Sequence, residues 1–545
     1  MKKSLLLFVV SLLALHASAQ WSADAATNNL IDSVGTTDYG TSVVTTPDGL
    51  SYVLKIIPDG KDDNDRSMLA YSVQIVDKQG NKVLPDGGKT ISREPNRSYT
   101  VINQSLMADK EGNAIIVTHD CRNAQPTSHD KGYTAYKINH QGELLWSKGT
   151  DLWDGEVSEG NAAMSFTQTD DGGYLFAWQE YSDEIPSAIR IEKLSADGKS
   201  QWKQELRDTK VAYQYPYVKS VGDNQVILVF LQGTNRTVMA RMLDFDGSQV
   251  WEADTKLYQG GFDSTPVHTH FKVWQAPKGG VFVTWRDDRN YEGSYANYIS
   301  YVKNDGTLGF PGGVNALKIS HDDDFSRMGP MLVYDDTSDC VYLTYLQFAQ
   351  ARQNYKGIYM QKISMDGELL WGSIGKPVVA MQEERALGYA TVQQAGDGNI
   401  AVFYMDNAAG GKEAFSFCQK YDTDGNALWE QPLNFATTIS EKSNLLSSAL
   451  IDGKYWICNF EDARYSEHVD EQLLFMQRIN TDGTLGDGAT AIHSVDTPAV
   501  QGECNIYTLG GVQLGTTTQD CLHLEKGIYL LKDNNTNTTR KVAIQ

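Results

Sequence analysis

The sequence predicts an all-β protein: an eight-bladed β-propeller of four-stranded antiparallel blades, followed by a small C-terminal β-sandwich. Three observations lead to this prediction. One strand-turn-strand motif recurs eight times, its period is about 58 residues, and Asp-Gly turns separate short apolar runs within each unit. A four-stranded unit with loops of variable length gives such a period, whereas a helical solenoid shows a 3.6-residue periodicity that we do not find. A seven-bladed ring is the alternative.

The first residues have the organisation of a cleavable export signal. Two lysines precede an apolar run from Leu5 to Leu15, and a small-x-small cleavage site ends at Ala19. We therefore expect residues 1–19 to be removed by cleavage between Ala19 and Gln20. The run is too short to span a bilayer, which makes a membrane anchor the weaker interpretation. We expect a secreted or outer-membrane surface protein without a membrane span.

The composition of the chain supports a large folded core and restricts its partners. Of the 545 residues 41% are apolar, which is enough to fill a core of this size. Acidic residues outnumber basic ones 69 to 47, and the formal net charge is -22. Such a charge repels phosphate backbones and anionic lipid, so nucleic acid is not an expected partner. A solubilising surface charge is the simplest interpretation, and we expect a monomer.

The recurring motif is a strand that ends in a Gly turn and is followed by a second strand with a large ring. Its clearest copies are Lys137–Trp146, Lys193–Trp202, Met242–Trp251, Lys362–Trp371 and Lys420–Trp429. Weaker copies place Leu84, Phe310 and Asp487 where the tryptophan stands in the others. A large ring on the outer strand of every blade fills the wedge between adjacent sheets, so we interpret these tryptophans as packing residues.

One unit shows the four strands directly. Residues Ala162–Gln168, Tyr174–Glu180 and Ala188–Leu194 read as strands, and the chain returns through Trp202 after the turn at Gly198. Such units place the propeller in residues 20–497. Near the other end of the chain, Trp21 precedes its first Asp-Gly turn by nearly the interval seen in the internal copies. Residues 20–30 are therefore expected to supply the outer strand of the last blade and close the ring.

A second motif follows the second strand of some blades. It reads Trp285-Arg286-Asp287-Asp288-Arg289, with related copies at Phe460–Arg464 and Thr118–Arg122. The motif resembles the repeat of many exported bacterial propellers, in which a tryptophan, an aspartate and an arginine precede a loop and a strand. An aspartate and an arginine two positions apart share one side of an extended segment and can close a loop. We favour that structural role and keep Trp285 and Arg286 as binding candidates.

A search for chemistry returns few candidates. The sequence contains no GxSxG, HExxH or phosphate-binding Gly loop, so we predict no catalytic residue and no cofactor, and we leave enzymatic activity open. His268 and His270 share a strand face, but a third metal ligand is not identifiable, and ordinary hydrogen bonding is the simpler interpretation. The acidic loop from Asp59 to Asp65 lacks EF-hand spacing, which makes a solvated tip a better interpretation than a calcium site.

The six cysteines are widely spaced and none forms a CxxC motif. Cys504 and Cys521 are the one local pair that we consider a candidate disulfide in an exported protein. For the others we expect free, buried thiols; these are Cys121, Cys340, Cys418 and Cys458.

The C-terminal residues 498–545 break the repeat and have their own pattern. The segments Asn505–Val512, Leu524–Leu531 and Arg540–Gln545 together resemble the C-terminal sorting domain of proteins exported by the type IX secretion system. This resemblance implies a β-sandwich that the outer-membrane machinery recognises and often removes. A plain β-domain that caps the propeller is the alternative.

Two functions of different class remain open. The first, which we favour, is a binding module outside the cell whose rim loops hold a glycan, a peptide or a partner protein. The second is an extracellular hydrolase or lyase of polysaccharides, with a site in the propeller channel. Two inward carboxylates roughly 5 to 10 Å apart near the axis would favour the second function.

Overall fold

A computed structural model of the chain describes residues 21–34, 41–61, 67–92, 105–124, 130–158, 160–181, 186–259, 271–289, 294–321, 324–349, 352–383, 385–408, 413–465, 472–487, 504–508, 513–517, 527–533 and 539–544. The chain divides into two compact units, residues 1–485 and 486–545. The boundary predicted between residues 497 and 498 lies outside the described residues. Within them, no helix is long and apolar enough to cross a membrane.

The first unit contains 32 strands in eight sheets. The first strand, β1 (Asn29–Asp32), belongs to the last sheet. Blade 1 comprises β2 (Thr41–Thr45), β3 (Ser51–Lys61), β4 (Ser67–Val76) and β5 (Lys89–Ser92). Blade 2 comprises β6 (Leu106–Ala108), β7 (Ala114–Asp120), β8 (Gly132–Ile138) and β9 (Thr150–Asp151). Blade 3 comprises β10 (Ala162–Gln168), β11 (Tyr174–Glu180), β12 (Ala188–Leu194) and β13 (Ser200–Leu206). Blade 4 comprises β14 (Tyr213–Gly222), β15 (Gln225–Gln232), β16 (Thr237–Leu243) and β17 (Thr255–Tyr258). Blade 5 comprises β18 (Lys272–Gln275), β19 (Val281–Asp287), β20 (Ala296–Val302) and β21 (Leu317–Lys318). Blade 6 comprises β22 (Ser326–Asp335), β23 (Cys340–Ala349), β24 (Arg352–Ser364) and β25 (Lys376–Gln382). Blade 7 comprises β26 (Arg385–Gln394), β27 (Ile400–Ala408), β28 (Ala414–Tyr421) and β29 (Leu433–Ala436). Blade 8 comprises β30 (Lys442–Ser447), β31 (Tyr455–Asp462) and β32 (Leu473–Asn480), and its fourth strand is β1. Among the described residues, short 3-10 turns at Leu152–Gly155 and Gly313–Asn315 interrupt the connections.

Eight four-stranded antiparallel blades confirm the predicted propeller and exclude the seven-bladed alternative. In blade 3 the first three strands begin and end at the residues predicted from the sequence. The first strands of neighbouring blades contact each other around the ring, as in the pairs β10 with β14 and β22 with β26. The first strand of each blade is therefore the inner one, on the wall of the central channel.

Apolar side chains fill the spaces between blades, because the central strands are buried on both faces. Successive residues of a strand point to opposite faces. On β19, Val283 and Trp285 pack toward Val229 of blade 4, whereas Phe282 packs toward Leu343 of blade 6. Odd-numbered residues of β19 thus face blade 4, and even-numbered residues face blade 6.

The N-terminal segment closes the ring, as predicted. Strand β1 pairs antiparallel with β32 and becomes the outer strand of blade 8, with Leu30 opposite Phe475. The strand lies at the end of the range expected to supply it. Arg464 fixes the preceding segment by donating to the carbonyl oxygen of Ala26 at 2.9 Å and to Asn28 Oδ1 at 2.9 Å. A fully buried ion pair between Asp32 and Lys55 joins this strand to blade 1.

Each blade places a large side chain on the turn glycine of the next blade. Gly198 has a φ of +80°, and a Cβ atom there would lie only 2.7 Å from the Trp146 ring. Glycine is therefore required by both the turn and the stacked indole. The eight contacts are Trp21 on Gly80, Leu84 on Gly142, Trp146 on Gly198, Trp202 on Gly247, Trp251 on Gly306, Phe310 and Pro311 on Gly367, Trp371 on Gly425, and Trp429 on Gly483. The packing role of the tryptophans is confirmed, and Trp21 serves blade 8 where the repeat itself has Asp487.

The second unit contains one four-stranded antiparallel sheet in the order β34-β33-β35-β36. Its strands are β33 (Cys504–Thr508), β34 (Gln513–Thr517), β35 (Gly527–Asp533) and β36 (Thr539–Ile544). The second sheet of the expected β-sandwich is not among the described residues.

Candidate functional site

The inner strands reverse the charge of the rest of the chain. Together the eight strands β2, β6, β10, β14, β18, β22, β26 and β30 contain five basic residues and one acidic residue. The basic residues are Lys219, Lys272, Arg327, Arg385 and Lys442, and the acidic one is Asp335. Lys442 is neutralised, because its Nζ lies 3.4 Å from Asp462 and both side chains are buried. Asp335 ends β22 and accepts a hydrogen bond from the backbone of Ser338 at 2.7 Å.

Lys219 and Lys272 are the two channel-wall lysines without an anionic partner among the described residues. They lie on the inner strands of adjacent blades, Lys219 on β14 and Lys272 on β18. Desolvation by the surrounding protein lowers the pKa of both ammonium groups, of the half-buried Lys219 and of the more exposed Lys272, and the nearby charge of Lys272 lowers that of Lys219 further. Each effect destabilises the charged form. An anion placed between these strands would stabilise the charged form of both lysines.

Five inner strands share a bulge at the same level of the channel. Each bulge places two residues of the inner strand where its partner has one, and a residue with positive φ lies inside it. These residues are Ala163, Tyr215, Gly329, Tyr389 and Asn444. A non-glycine residue in that region is strained, and bulges beside binding sites redirect side chains. Tyr389 is 44% exposed, so one of these redirected rings is open to solvent.

The Trp-Asp-Arg motif of blade 5 is a closed hydrogen-bonded unit. Trp285 Nε1 donates to Asp287 Oδ2 at 2.8 Å, and Arg289 donates to both oxygens of Asp287, at 2.8 and 2.6 Å. The guanidinium lies 3.4 Å from the centre of the Tyr298 ring and donates to the carbonyl oxygen of Asn315 at 2.6 Å. Since Asn315 precedes the outer strand β21, the arginine ties the end of β19 to that strand.

In two other blades the arginine of the motif makes a similar contact with the outer strand or the segment before it. In blade 8, Arg464 pairs with Asp462 at 2.6 Å and holds the segment before β1. In blade 2, Arg122 lies 4.0 Å from Asp151 on the outer strand β9. The motif therefore fastens outer strands, which is the structural role favoured from the sequence.

The two binding candidates of this motif lie on opposite faces of β19. Trp285 is fully buried toward blade 4, whereas Arg286 faces blade 6 and is partly exposed. The guanidinium of Arg286 lies 4.6 Å from the centre of the Tyr295 ring. The structure does not bring these two candidates together.

The other sequence candidates fall largely outside the described residues. His268, His270, Ala19, Gln20 and most of the Asp59–Asp65 loop are among those not described, as is Cys521, the partner proposed for Cys504. Among the described residues, no group of three or more His, Cys, Asp or Glu side chains could hold a metal. The remaining cysteines, Cys121, Cys340, Cys418 and Cys458, are free thiols, and all except Cys121 are buried.

The comparisons with known proteins return only distant structural similarities. No family model matches the chain, and no curated protein sequence matches it. The polysaccharide lyase Uly1 aligns with a TM-score of 0.41 and 10% identity, over 74% of this chain and 93% of that chain. A Penicillium chrysogenum alpha-L-arabinanase complexed with arabinobiose gives 0.32 and 14%, over 60% and 95%. A eukaryotic initiation factor gives 0.42 and 12%, over 83% and 88%. We therefore infer function from the residues of the channel.

Proposed function

We propose that the protein is an exported binding propeller that holds an anionic ligand in its central channel. The observation that carries this proposal is the charge of the inner strands, which is basic in a chain whose net charge is -22. Lys219 and Lys272 supply the attraction, because neither ammonium group has an anionic partner among the described residues.

The contrast between channel and chain restricts the size of the ligand. Basic residues on the inner strands attract small anions, whereas the acidic chain as a whole repels long polyanions. The ligand is therefore a molecule with a few negative charges, and an acidic oligosaccharide is the class that we favour. The exposed ring of Tyr389, on the bulged strand of blade 7, adds an aromatic surface of the kind that ligand sites commonly have.

A binding measurement with matched sugars tests this proposal. Isothermal titration calorimetry of the full chain with tri-galacturonate should give saturable binding that weakens as salt is added, because the attraction is ionic. A neutral galactose trimer should bind at least about tenfold more weakly, and tri-aspartate tests a peptide of equal charge. Equal binding of the neutral and acidic sugars would overturn the proposal, and tighter binding of tri-aspartate would replace the glycan by an acidic peptide.

The alternative function is a lyase that acts on an acidic polysaccharide. Retaining and inverting hydrolases use two carboxylates, and the described inner strands carry only Asp335, at the end of β22. A lyase instead needs a cation beside the substrate carboxylate and a base. Lys272 suits the first role, and the lowered pKa of Lys219 suits the second. Appearance of ultraviolet-absorbing unsaturated products during incubation with polygalacturonate would support this alternative.

Export and surface location complete the proposal. The expected signal at residues 1–19 and the sorting-like pattern of residues 498–545 favour passage through the type IX machinery to the outside of the cell. In this proposal the second unit is the β-sandwich read by that machinery, and the propeller acts as a monomer.

A further inference from the structure

A polar layer lies within the interface between blades 5 and 6. Arg286 on β19 is paired in register with Asn297 on β20, so their side chains share one face of blade 5. Phe282 and Ile299 belong to the same face and pack against Leu343 of blade 6. Arg286 and Asn297 therefore project toward blade 6.

Blade 6 contributes the facing wall of this layer. Gln347 lies on the same face of β23 as Leu343, and its register partner on the inner strand is Arg327. Both side chains are buried, with 2% and 1% of their surface exposed. Ser320, in the connection between the two blades, is buried as well.

Several polar atoms of the layer have no partner. Arg286 forms no hydrogen bond or ion pair with any residue that the structure describes, and its Nε is buried. Asn297 is fully buried, and among the described residues neither its Oδ1 nor its Nδ2 has a hydrogen-bond partner. Gln347 Oε1 and Ser320 Oγ are also without partners in the described part of the chain. Buried polar groups are nearly always satisfied, so three buried side chains with unsatisfied atoms, next to the buried Nε of Arg286, favour a bound ligand in this interface.

In blades 3 and 8 the residue at the position equivalent to Arg286 is satisfied by the protein itself. In blade 3, Gln179 accepts a hydrogen bond from the backbone N–H of Tyr215, in the bulge of the next inner strand. In blade 8, Glu461 accepts from Asn444 Nδ2 at 2.7 Å. Blade 6 has Gly329 followed by Pro330 in its bulge, and a proline has no N–H to donate. The interface of blades 5 and 6 therefore departs from the pattern of the repeat.

The chemistry of the layer selects an anion. Arg286 supplies a positive charge, and burial lowers the pKa of its guanidinium, which an anionic partner would reverse. Its neighbour Asp287 does not supply that partner, because it faces away and is held by Trp285 and Arg289. Asn297 Nδ2 and Ser320 Oγ add neutral donors. A planar guanidinium with nearby donors fits a carboxylate group best.

An adjacent cleft is lined by residues that include Asp287, Asp288, Tyr295 and Arg327. Tyr295 is the ring that Arg286 covers, so the cleft lies beside the arginine of the layer.

We propose that Arg286, Asn297 and Ser320 form a site for one carboxylate group, held between blades 5 and 6 beside the buried Gln347. This site is separate from the lysine pair of the channel and does not depend on the proposed channel ligand. A bound carboxylate joins two neighbouring blades, so it should also raise the thermal stability of the propeller.

Thermal unfolding of the full chain in sodium acetate tests this site, with sodium chloride at equal ionic strength as the reference. Acetate should raise the melting temperature above the chloride value in a saturable way. In Arg286→Gln the half-saturating concentration should rise at least about tenfold, because the charge-assisted pair is lost. Arg352→Gln, which removes an exposed arginine paired with Glu383 on blade 6, is the matched control and should respond as the wild type does.

A second variant separates binding from folding. Asn297→Leu removes two unsatisfied atoms from the interface, so it should fold with unchanged or higher stability while the acetate response weakens. A crystal structure from acetate should show planar density beside Arg286. Equal acetate responses in the wild type and Arg286→Gln, or water alone at this position, would overturn the inference. The channel variant Lys219→Gln/Lys272→Gln should keep the full acetate response, which distinguishes this site from the channel.

Discussion

Replacing Trp21 by alanine should open the ring at its closure. The Trp21 side chain is 3% exposed, covers Gly80, and donates from Nε1 to the carbonyl oxygen of Lys78 at 3.0 Å. Removing a buried tryptophan costs about 3–5 kcal/mol of unfolding free energy. Loss of this contact also releases β1, because that strand is attached to blade 8 and not to a neighbour in sequence. Urea unfolding measures the first effect, and limited proteolysis of the N-terminal segment measures the second.

Trp146→Ala is the matched control for this prediction. Trp146 is 6% exposed and covers Gly198 in the same way, but its blade is continuous in sequence. Both variants should lose a similar unfolding free energy, and only Trp21→Ala should expose residues 21–34 to protease. Equal protection of these residues in the two variants would refute the closure mechanism.

Two further predictions concern pH and export. Burial lowers the pKa of Lys442 to about 8 from an ordinary 10.5, so the unfolded chain binds more protons between these values. Urea midpoints should therefore show the wild type gaining stability over Lys442→Met as the pH rises from about 8 to 10.5, and a constant difference would contradict this cause. Deleting residues 498–545 should retain the protein in the periplasm of its host, as Western blots of cell fractions would show; undiminished secretion would remove the sorting role.

Much of the fold could be predicted because its determinants are local and repeated. Each turn glycine has a positive φ, and the ring that follows it packs on the turn glycine of the next blade. The spacing of Gly198 and Trp202 in the sequence was therefore enough to predict a blade. A second interval, from the ring to the next Asp-Gly turn, predicted that residues 20–30 supply the outer strand of the last blade. The C-terminal sandwich was expected from a family resemblance, and the described residues there form one four-stranded sheet.

The candidate sites could not be found in the same way, because they depend on contacts between blades. No sequence signal distinguishes a bulged inner strand, since Ala163, Tyr215 and Asn444 are chemically unlike. Lys219 and Lys272 are 53 positions apart, and only the packing of blade 4 against blade 5 brings their strands together. Arg286 did interrupt the apolar face of β19, which was a usable signal, but its missing partner becomes visible only beside blade 6.

The most direct test of the proposed function is the affinity of the channel variant for an acidic oligosaccharide. Calorimetry would compare the wild type, Lys219→Gln/Lys272→Gln, and the control Lys199→Gln/Lys278→Gln, whose lysines are 80% and 67% exposed. We expect the channel variant to bind tri-galacturonate at least about tenfold more weakly, a loss of about 1.4 kcal/mol, while the control binds as the wild type does. Unchanged binding by the channel variant, or an equal loss in the control, would contradict a ligand site at the two channel lysines.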